Sequence, residues 1–191
     1  MARSRRIFLP GLSLHVIKRG NNRQPIFQRD ADRQVFLAIL RGVVTDKPVI
    51  IHGFVLMSNH YHLIVTPETA KALPNMMKEL NQRYVTYYNR EYQRVGTLWA
   101  GRYRGIHLEN DRYWLTCLRY IEQNPVRAGM VRSPDAYSWS SYAAHAFGRW
   151  PEWLTPHSIY QTLGNTAEAR QAAYRGIFDL PCPDDHLSLI R

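Results

Sequence analysis

The amino-acid sequence predicts an α+β fold: an antiparallel sheet with packed helices, followed by extra C-terminal helices. Three observations carry this reading. Short stretches with period-two alternation are interspersed with longer stretches whose apolar residues recur at helical spacing. Turn residues punctuate the boundaries between them. The 191 residues, 45% hydrophobic, supply one sizeable core plus a modest extension.

Leu12 to Arg19 alternates and ends at Gly20-Asn21-Asn22, a strand followed by a turn. From Asp30, read as an N-cap, Val35, Phe36, Ile39, Leu40 and Val43 trace a helical face up to the break at Asp46 to Pro48. Val49 to Met57 is rich in β-branched residues, Ser58-Asn59 signals a turn, and His60 to Thr66 resumes alternation, which together make a hairpin. Leu73, Met76, Met77, Leu80, Tyr84 and Tyr88 share a helical face, with Pro74 tolerable in the first turn. Arg102 to Glu109 supplies a fourth strand. Asp111 then caps a helix striped by Trp114, Leu118 and Ile121, which Asn124-Pro125 is expected to end. The order strand, helix, strand, strand, helix, strand, helix describes a ferredoxin-like sheet with one extra helix. A short helix is expected within Ser133 to Gly148. The organisation is then a domain over 1–148 and a C-terminal tail over 149–191, punctuated by prolines.

Composition narrows the function. A formal charge of +10 and a sequence pI of about 9.9, carried mostly by arginine, point to a polyanionic partner. Aromatic residues make up 12% of the chain, which favours nucleic acid among polyanions without choosing between DNA and RNA. Cys117 and Cys182 stand far apart in no metal-ligand spacing, so they read as reduced thiols. No apolar run reaches the length of a membrane span, and the basic start at Met1 to Phe8 lacks a signal-peptide core. The expected location is therefore the cytoplasm, with no membrane partner.

The sharpest motif is His60-Tyr61-His62. On a strand, period two puts both imidazoles on one face and Tyr61 on the other. Such a pair can clamp a metal ion or serve structure, and a metal site needs a third ligand. Tyr113, Cys117, Tyr120 and Asn124 recur along one helix face beside the core stripe. If that face meets the histidines, the Asn124 amide oxygen completes a site for a hard cation and Tyr120 presents its hydroxyl to a bound phosphate.

Several stretches extend these motifs: Val16-Ile17-Lys18-Arg19-Gly20-Asn21-Asn22; Leu56-Met57-Ser58-Asn59-His60-Tyr61-His62-Leu63-Ile64; and Gly96-Thr97-Leu98-Trp99-Ala100-Gly101-Arg102-Tyr103. Two more follow, Arg119-Tyr120-Ile121-Glu122-Gln123-Asn124-Pro125-Val126-Arg127-Ala128-Gly129 and Trp139-Ser140-Ser141-Tyr142. In this order, over roughly residues 10 to 145, the chain resembles the REP-associated tyrosine transposases, single-strand transposases of the HUH superfamily with an IS200-like domain. The resemblance implies a ferredoxin-like domain of HUH endonuclease type, with His60 and His62 as metal ligands, Asn124 as the third and Tyr120 as the single nucleophile. One departure is Tyr61, where the family usually carries an aliphatic residue. Alternation turns it away from the metal.

What the resemblance implies is a bacterial, nucleoid-associated enzyme, a DNA endonuclease and strand transferase that uses Mg²⁺ or Mn²⁺ and no small-molecule cofactor. It would cleave single-stranded DNA through a 5′-phosphotyrosine and act on hairpin repeats in DNA transposition. A free phenol, with a pKa of about 10, is mostly protonated at neutral pH, so attack leans on an activated phosphate or local deprotonation. Lys18, Arg19, Arg23, Arg102, Arg104 and Arg127 are the expected DNA contacts, with Arg3, Arg5 and Arg6 as a basic arm. His15, His52 and His107 are read as structural. The alternatives are a sequence-specific DNA-binding protein that has lost turnover and a metal-dependent RNA-binding or RNA-cleaving protein. Monomer and helix-swapped dimer both fit the sequence.

Overall fold

A computed structural model describes residues 8–179, with four strands and six α-helices. In chain order these are β1 (Leu14–Arg19), α1 (Asp30–Thr45), β2 (Val49–Leu56), β3 (His60–Pro67), α2 (Ala72–Glu91), β4 (Arg104–His107), α3 (Asp111–Arg127), α4 (Tyr142–Phe147), α5 (Ser158–Gln161) and α6 (Ala167–Ile177). The strands pair antiparallel in the order β2-β3-β1-β4, the ferredoxin-like arrangement expected from the sequence. Arg3, Arg5, Arg6 and Cys182 lie outside the described residues. Among the described residues no helix is long and apolar enough to cross a membrane.

The sheet is buried on both faces, so its central strands carry apolar residues at both parities. Leu14 and Val16 of β1, with Tyr61, Leu63 and Val65 of β3, pack beneath α1 and α2 against Phe36, Leu40, Leu73, Leu80 and Tyr84. Ile64 and Val55 face the other way, into a second core with Trp114, Cys117, Leu118 and Ile121 of α3. A register shift between Ile51 and Gly53 changes the parity of β2, which is why Ile51 and Phe54 share one face. Gly53 sits under α3: a Cβ there would lie 2.7 Å from Leu118 Cδ1 and 3.5 Å from Ile121 Cδ1, so its bare backbone lets the helix approach the sheet.

Three helix boundaries differ from the sequence reading. The N-cap of α1 is Arg29 rather than Asp30; the acid that caps is Asp32, whose Oδ2 accepts the backbone N–H groups of Gln28 and Arg29. Asn110, not Asp111, caps α3 by accepting Tyr113 N–H. Pro125 does not end α3, which continues to Arg127. Proline there costs one backbone donor near the helix end, and termination is supplied by Gly129 (φ 67°) instead. Gly129 N–H bonds Val126 O and Met130 N–H bonds Pro125 O, the paired closure of a left-handed glycine stop.

Residues 149–179 pack on α3 and the sheet. Thr155 N–H bonds Ile51 O, and Tyr160 and Tyr174 enter the second core. The fully buried Glu122 of α3 accepts hydrogen bonds from Ser141, from His145 Nδ1 (2.8 Å) and from Tyr174 Oη (2.6 Å), tying α3 to α4 and α6. A second polar chain fastens residues 155–157 to the strands. His52 Nδ1 donates to Thr155 O and its Nε2 accepts from Thr66 Oγ1 (2.9 Å each), Thr66 meets Ser13 at 2.8 Å, and His157 Nε2 meets Ser13 Oγ at 3.2 Å.

His52 fills both of its hydrogen bonds as a neutral ring, and burial lowers its pKa to about 4. The unfolded chain therefore takes up this proton more readily than the folded one. Stability is full above the ordinary histidine range and falls as pH drops from about 6.5 towards 4, where His52 alone accounts for about 3 kcal/mol. Urea titrations at pH 7 and pH 4.5 should show wild type losing more stability over that interval than His52→Gln. An equal loss in both would remove His52 as a source.

Candidate active site

Beneath the N-terminal half of β3 the sheet and α3 enclose a cleft of ≈ 580 Å³. It is lined by Ile17, Arg19, His60, His62, Ala100, Arg102, Arg104, Tyr120 and Asn124. The antiparallel register sets this composition. Ile17 lies opposite His62 and Arg19 opposite His60, while Ile17 also pairs with Arg104, so alternation puts all five side chains on the α3 face. Tyr61 points the other way. It is fully buried against Phe36 and Trp99 and donates to Asn81 Oδ1 at 2.9 Å.

The two imidazoles are adjacent, with ring centroids 5.0 Å apart. Burial lowers the pKa of His60 to about 4 and holds His62 well below the ordinary range, with Arg19 adding to both shifts. Both rings are neutral at physiological pH and each keeps one lone pair. For His60 its position is decided. Nδ1 lies 2.6 Å from Asn59 Oδ1, which can only accept, so Nδ1 carries the proton and Nε2 is bare. His62 Nε2 is buried without a hydrogen-bond partner, and so is Asn124 Nδ2. Among the described residues no three His, Cys, Asp or Glu side chains gather as a metal site, so an ion held here would rest on the two imidazoles and the Asn124 amide. Two neutral imidazoles, with the buried His62 Nε2 lacking a hydrogen-bond partner, and the side-chain oxygen that Asn124 can offer make a donor set that fits a divalent cation.

Tyr120 and Asn124 stand one turn apart on α3, whose rotation is fixed by the Trp114, Leu118 and Ile121 stripe on one side and Glu122 on the other. Tyr120 is 7% exposed and packs edge-on to His62, ring centroids 6.2 Å apart. The Arg127 guanidinium lies 4.9 Å from the Tyr120 ring centroid, a cation over an aromatic face. Cys117, on the same helix face, is fully buried, and burial raises its thiol pKa.

Of the residues singled out from sequence, His60, His62, Tyr120, Asn124, Arg19, Arg102 and Arg104 meet in the cleft, and Arg127 flanks it through Tyr120. Arg23 lies outside the lining, exposed in the turn after β1, where its carbonyl accepts from Asn59 Nδ2 at 3.2 Å. Lys18 is a correction. Its even position on β1 turns it to the opposite face, where it is 6% exposed, donates to Gly101 O and lies 5.3 Å from the Trp99 ring. Such a lysine supports the loop over the cleft and cannot meet a phosphate there. His15, read from the sequence as structural, approaches the site: its Nε2 is 2.7 Å from His62 Nδ1. The signal was its parity with Ile17 and Arg19 on β1.

The rim is tied together at Gly20. Its N–H bonds Asn59 O, the next N–H, of Asn21, bonds Leu98 O, and Ala100 N–H bonds Arg19 O. A Cβ at Gly20 would collide with the Gln24 carbonyl oxygen and come within 2.8 Å of Ile26 Cγ2. Gly20→Ala should therefore cost about 1–3 kcal/mol in urea unfolding. Unchanged stability would show that the turn can shift freely.

The model of the family described as "Transposase IS200 like" matches residues 9–124. No curated protein matches the chain. Among solved structures, a REP-associated tyrosine transposase bound to a REP hairpin is 21% identical and superposes with a TM-score of 0.65, covering 82% of this chain and 93% of that one. A candidate transposase from Deinococcus radiodurans R1 is 19% identical, covering 64% of this chain and 97% of that one, with a TM-score of 0.44. The tRNA(His) guanylyltransferase of Saccharomyces cerevisiae is 12% identical, covering 93% of this chain and 82% of that one, with a TM-score of 0.48. At these identities the first match shows a shared fold, and the other two add nothing to it.

Proposed function

This chain belongs to the IS200-like transposase family, and from that premise we propose that it cleaves and rejoins single-stranded DNA, with Tyr120 as nucleophile. The observation that carries the reading is the meeting of Tyr120, two neutral imidazoles, an amide and three arginines in one cleft built from one chain. β1, β3, β4 and α3 of one chain supply every lining side chain but those of the loop residues Ala100 and Arg102, which supports a site assembled within a single chain.

The chain's own groups divide the work. Arg19, Arg102 and Arg104 draw the phosphate backbone into the cleft by charge and bidentate donors. Tyr120 lies below the rim at 7% exposure, so the scissile phosphate must bend inward, which a single strand does at lower cost than a stacked duplex. His60, His62 and Asn124 would hold Mg²⁺ or Mn²⁺, and imidazole ligands favour Mn²⁺ of the two. When bound, such an ion supplies charge that makes the phosphorus more electrophilic. Tyr120 Oη attacks the phosphorus, the bond to the 3′ oxygen breaks, and the phenol proton leaves while the departing oxygen is protonated to a free 3′-hydroxyl. The phosphate stays on Tyr120 as a 5′ ester, whose bond energy allows a second 3′-hydroxyl to reverse the step and join a new strand. Arg127, stacked on the Tyr120 ring, limits its swing and adds positive charge beside the phenolate.

A hairpin substrate is proposed by analogy with the REP-bound relative, and DNA transposition in a bacterial nucleoid by the family. The test is to incubate labelled single-stranded DNA carrying a hairpin and its flank with the protein and Mn²⁺ or Mg²⁺, then to run denaturing gels. Wild type should give a covalent protein–DNA adduct that vanishes in Tyr120→Phe and falls at least 100-fold in His62→Ala. Hairpin binding without an adduct across candidate repeats would mark a DNA-binding protein without turnover. Adduct formation that survives Tyr120→Phe would assign the nucleophile elsewhere.

A further inference from the structure

His15 is fully buried on β1, two residues from Ile17 and on the same face of the sheet. It lies diagonal to His62, its ring stacked on the His62 ring at 12° with centroids 5.0 Å apart, and its Nε2 stands 2.7 Å from His62 Nδ1. Its other nitrogen, Nδ1, is buried without a partner, as is His62 Nε2. Such a residue is a poor choice for packing alone, because an apolar side chain of the same size would leave no nitrogen unpaired.

The pair admits two arrangements of a single shared proton. With the proton on His15 Nε2, His62 Nδ1 accepts it and His62 must carry its own proton on Nε2, facing the cleft. With the proton on His62 Nδ1, His15 Nε2 accepts it and His62 Nε2 is bare. Each arrangement leaves one donor and one acceptor unpaired at the outer ends, so neither is strongly favoured until something binds at His62 Nε2. Asn59 already imposes the bare-Nε2 form on His60, because its carbonyl oxygen can only accept.

We propose that His15 is a positioning residue for the metal site: by accepting the His62 Nδ1 proton it holds His62 with its Nε2 lone pair turned to the cleft. This rests on the reading of His60 and His62 as ligands. Partners of this kind fix the tautomer and ring orientation of a ligating histidine, and losing one typically weakens metal binding 10- to 100-fold. His15 touches neither phosphate nor nucleophile, so its effect passes through affinity for the cation.

The experiment is calorimetric titration of the full chain with Mn²⁺, without DNA, for wild type, His15→Leu, His15→Gln and His60→Ala. His15→Leu should bind Mn²⁺ about 10- to 100-fold more weakly while melting no earlier than wild type. His15→Gln, whose Oε1 can stand near the place of Nε2, should recover most of the affinity. Imidazole ¹⁵N shifts of the wild type with Mg²⁺ should show His62 protonated at Nδ1, and they decide the matter if His15→Leu fails to fold. Affinity in folded His15→Leu within twofold of wild type, or a proton on His62 Nε2 in the Mg²⁺ form, overturns the proposal. Wild type that binds no Mn²⁺, or binding unchanged in His60→Ala, overturns the ligand reading itself, and with it the proposal.

Discussion

The pairing of β1 with β3 decides what the cleft contains. Ile17 opposite His62 and Arg19 opposite His60 bring the two imidazoles, Arg19 and His15 to one face, and β4 adds Arg104 through its own pairing with Ile17. A slip of one residue would exchange faces wholesale, setting Lys18 and Val16 beside the imidazoles and burying Arg19 beneath α2. Several contacts hold that register. The first core fixes Leu14, Val16, Tyr61, Leu63 and Val65 on the far face, and Gly20 closes the end of β1 onto the Asn59 turn.

The sheet supplies half of the site and α3 the other half, so the helix must be held at one height and one rotation. Gly53 sets the height by leaving room for Leu118 and Ile121. Glu122 sets the rotation from the opposite side, accepting hydrogen bonds from α4 and α6 where no water reaches it. A buried carboxylate stripped of those donors would be strongly destabilising, and this explains why residues 149–179, with no motif of their own, matter to the placement of Tyr120. Stability far from the cleft thus becomes geometry within it.

Much of this was legible in the sequence, for identifiable reasons. Alternation and helical spacing report burial directly, and they located every strand and long helix and the opposed faces of His60 and Tyr61. The missed details depend on partners distant in sequence. Pro125 looked like a stop because local sterics cannot show that Gly129 closes the helix four residues later. Lys18 looked like a phosphate contact because charge alone does not reveal that its parity leads to Gly101 and Trp99. His15 looked incidental because its closeness to His62 depends on a diagonal contact across a register that sequence does not print. The Glu122 cluster joins three helices, and no single stretch announces it.

The site places neutral imidazoles among fixed positive charges, an environment in which a bound anion strengthens the hold on a cation. Arg19, Arg102 and Arg104 would repel a lone divalent ion and attract a phosphate, so ion and DNA are expected to stabilise each other in the cleft. The most direct measurement is an anomalous difference map from crystals grown with Mn²⁺ and a short single-stranded oligonucleotide. A peak bounded by His60 Nε2, His62 Nε2 and the Asn124 side chain, with Tyr120 facing a phosphate, is the result predicted. A well-ordered Mn²⁺ held elsewhere on the chain, with the two imidazoles unligated, would contradict it.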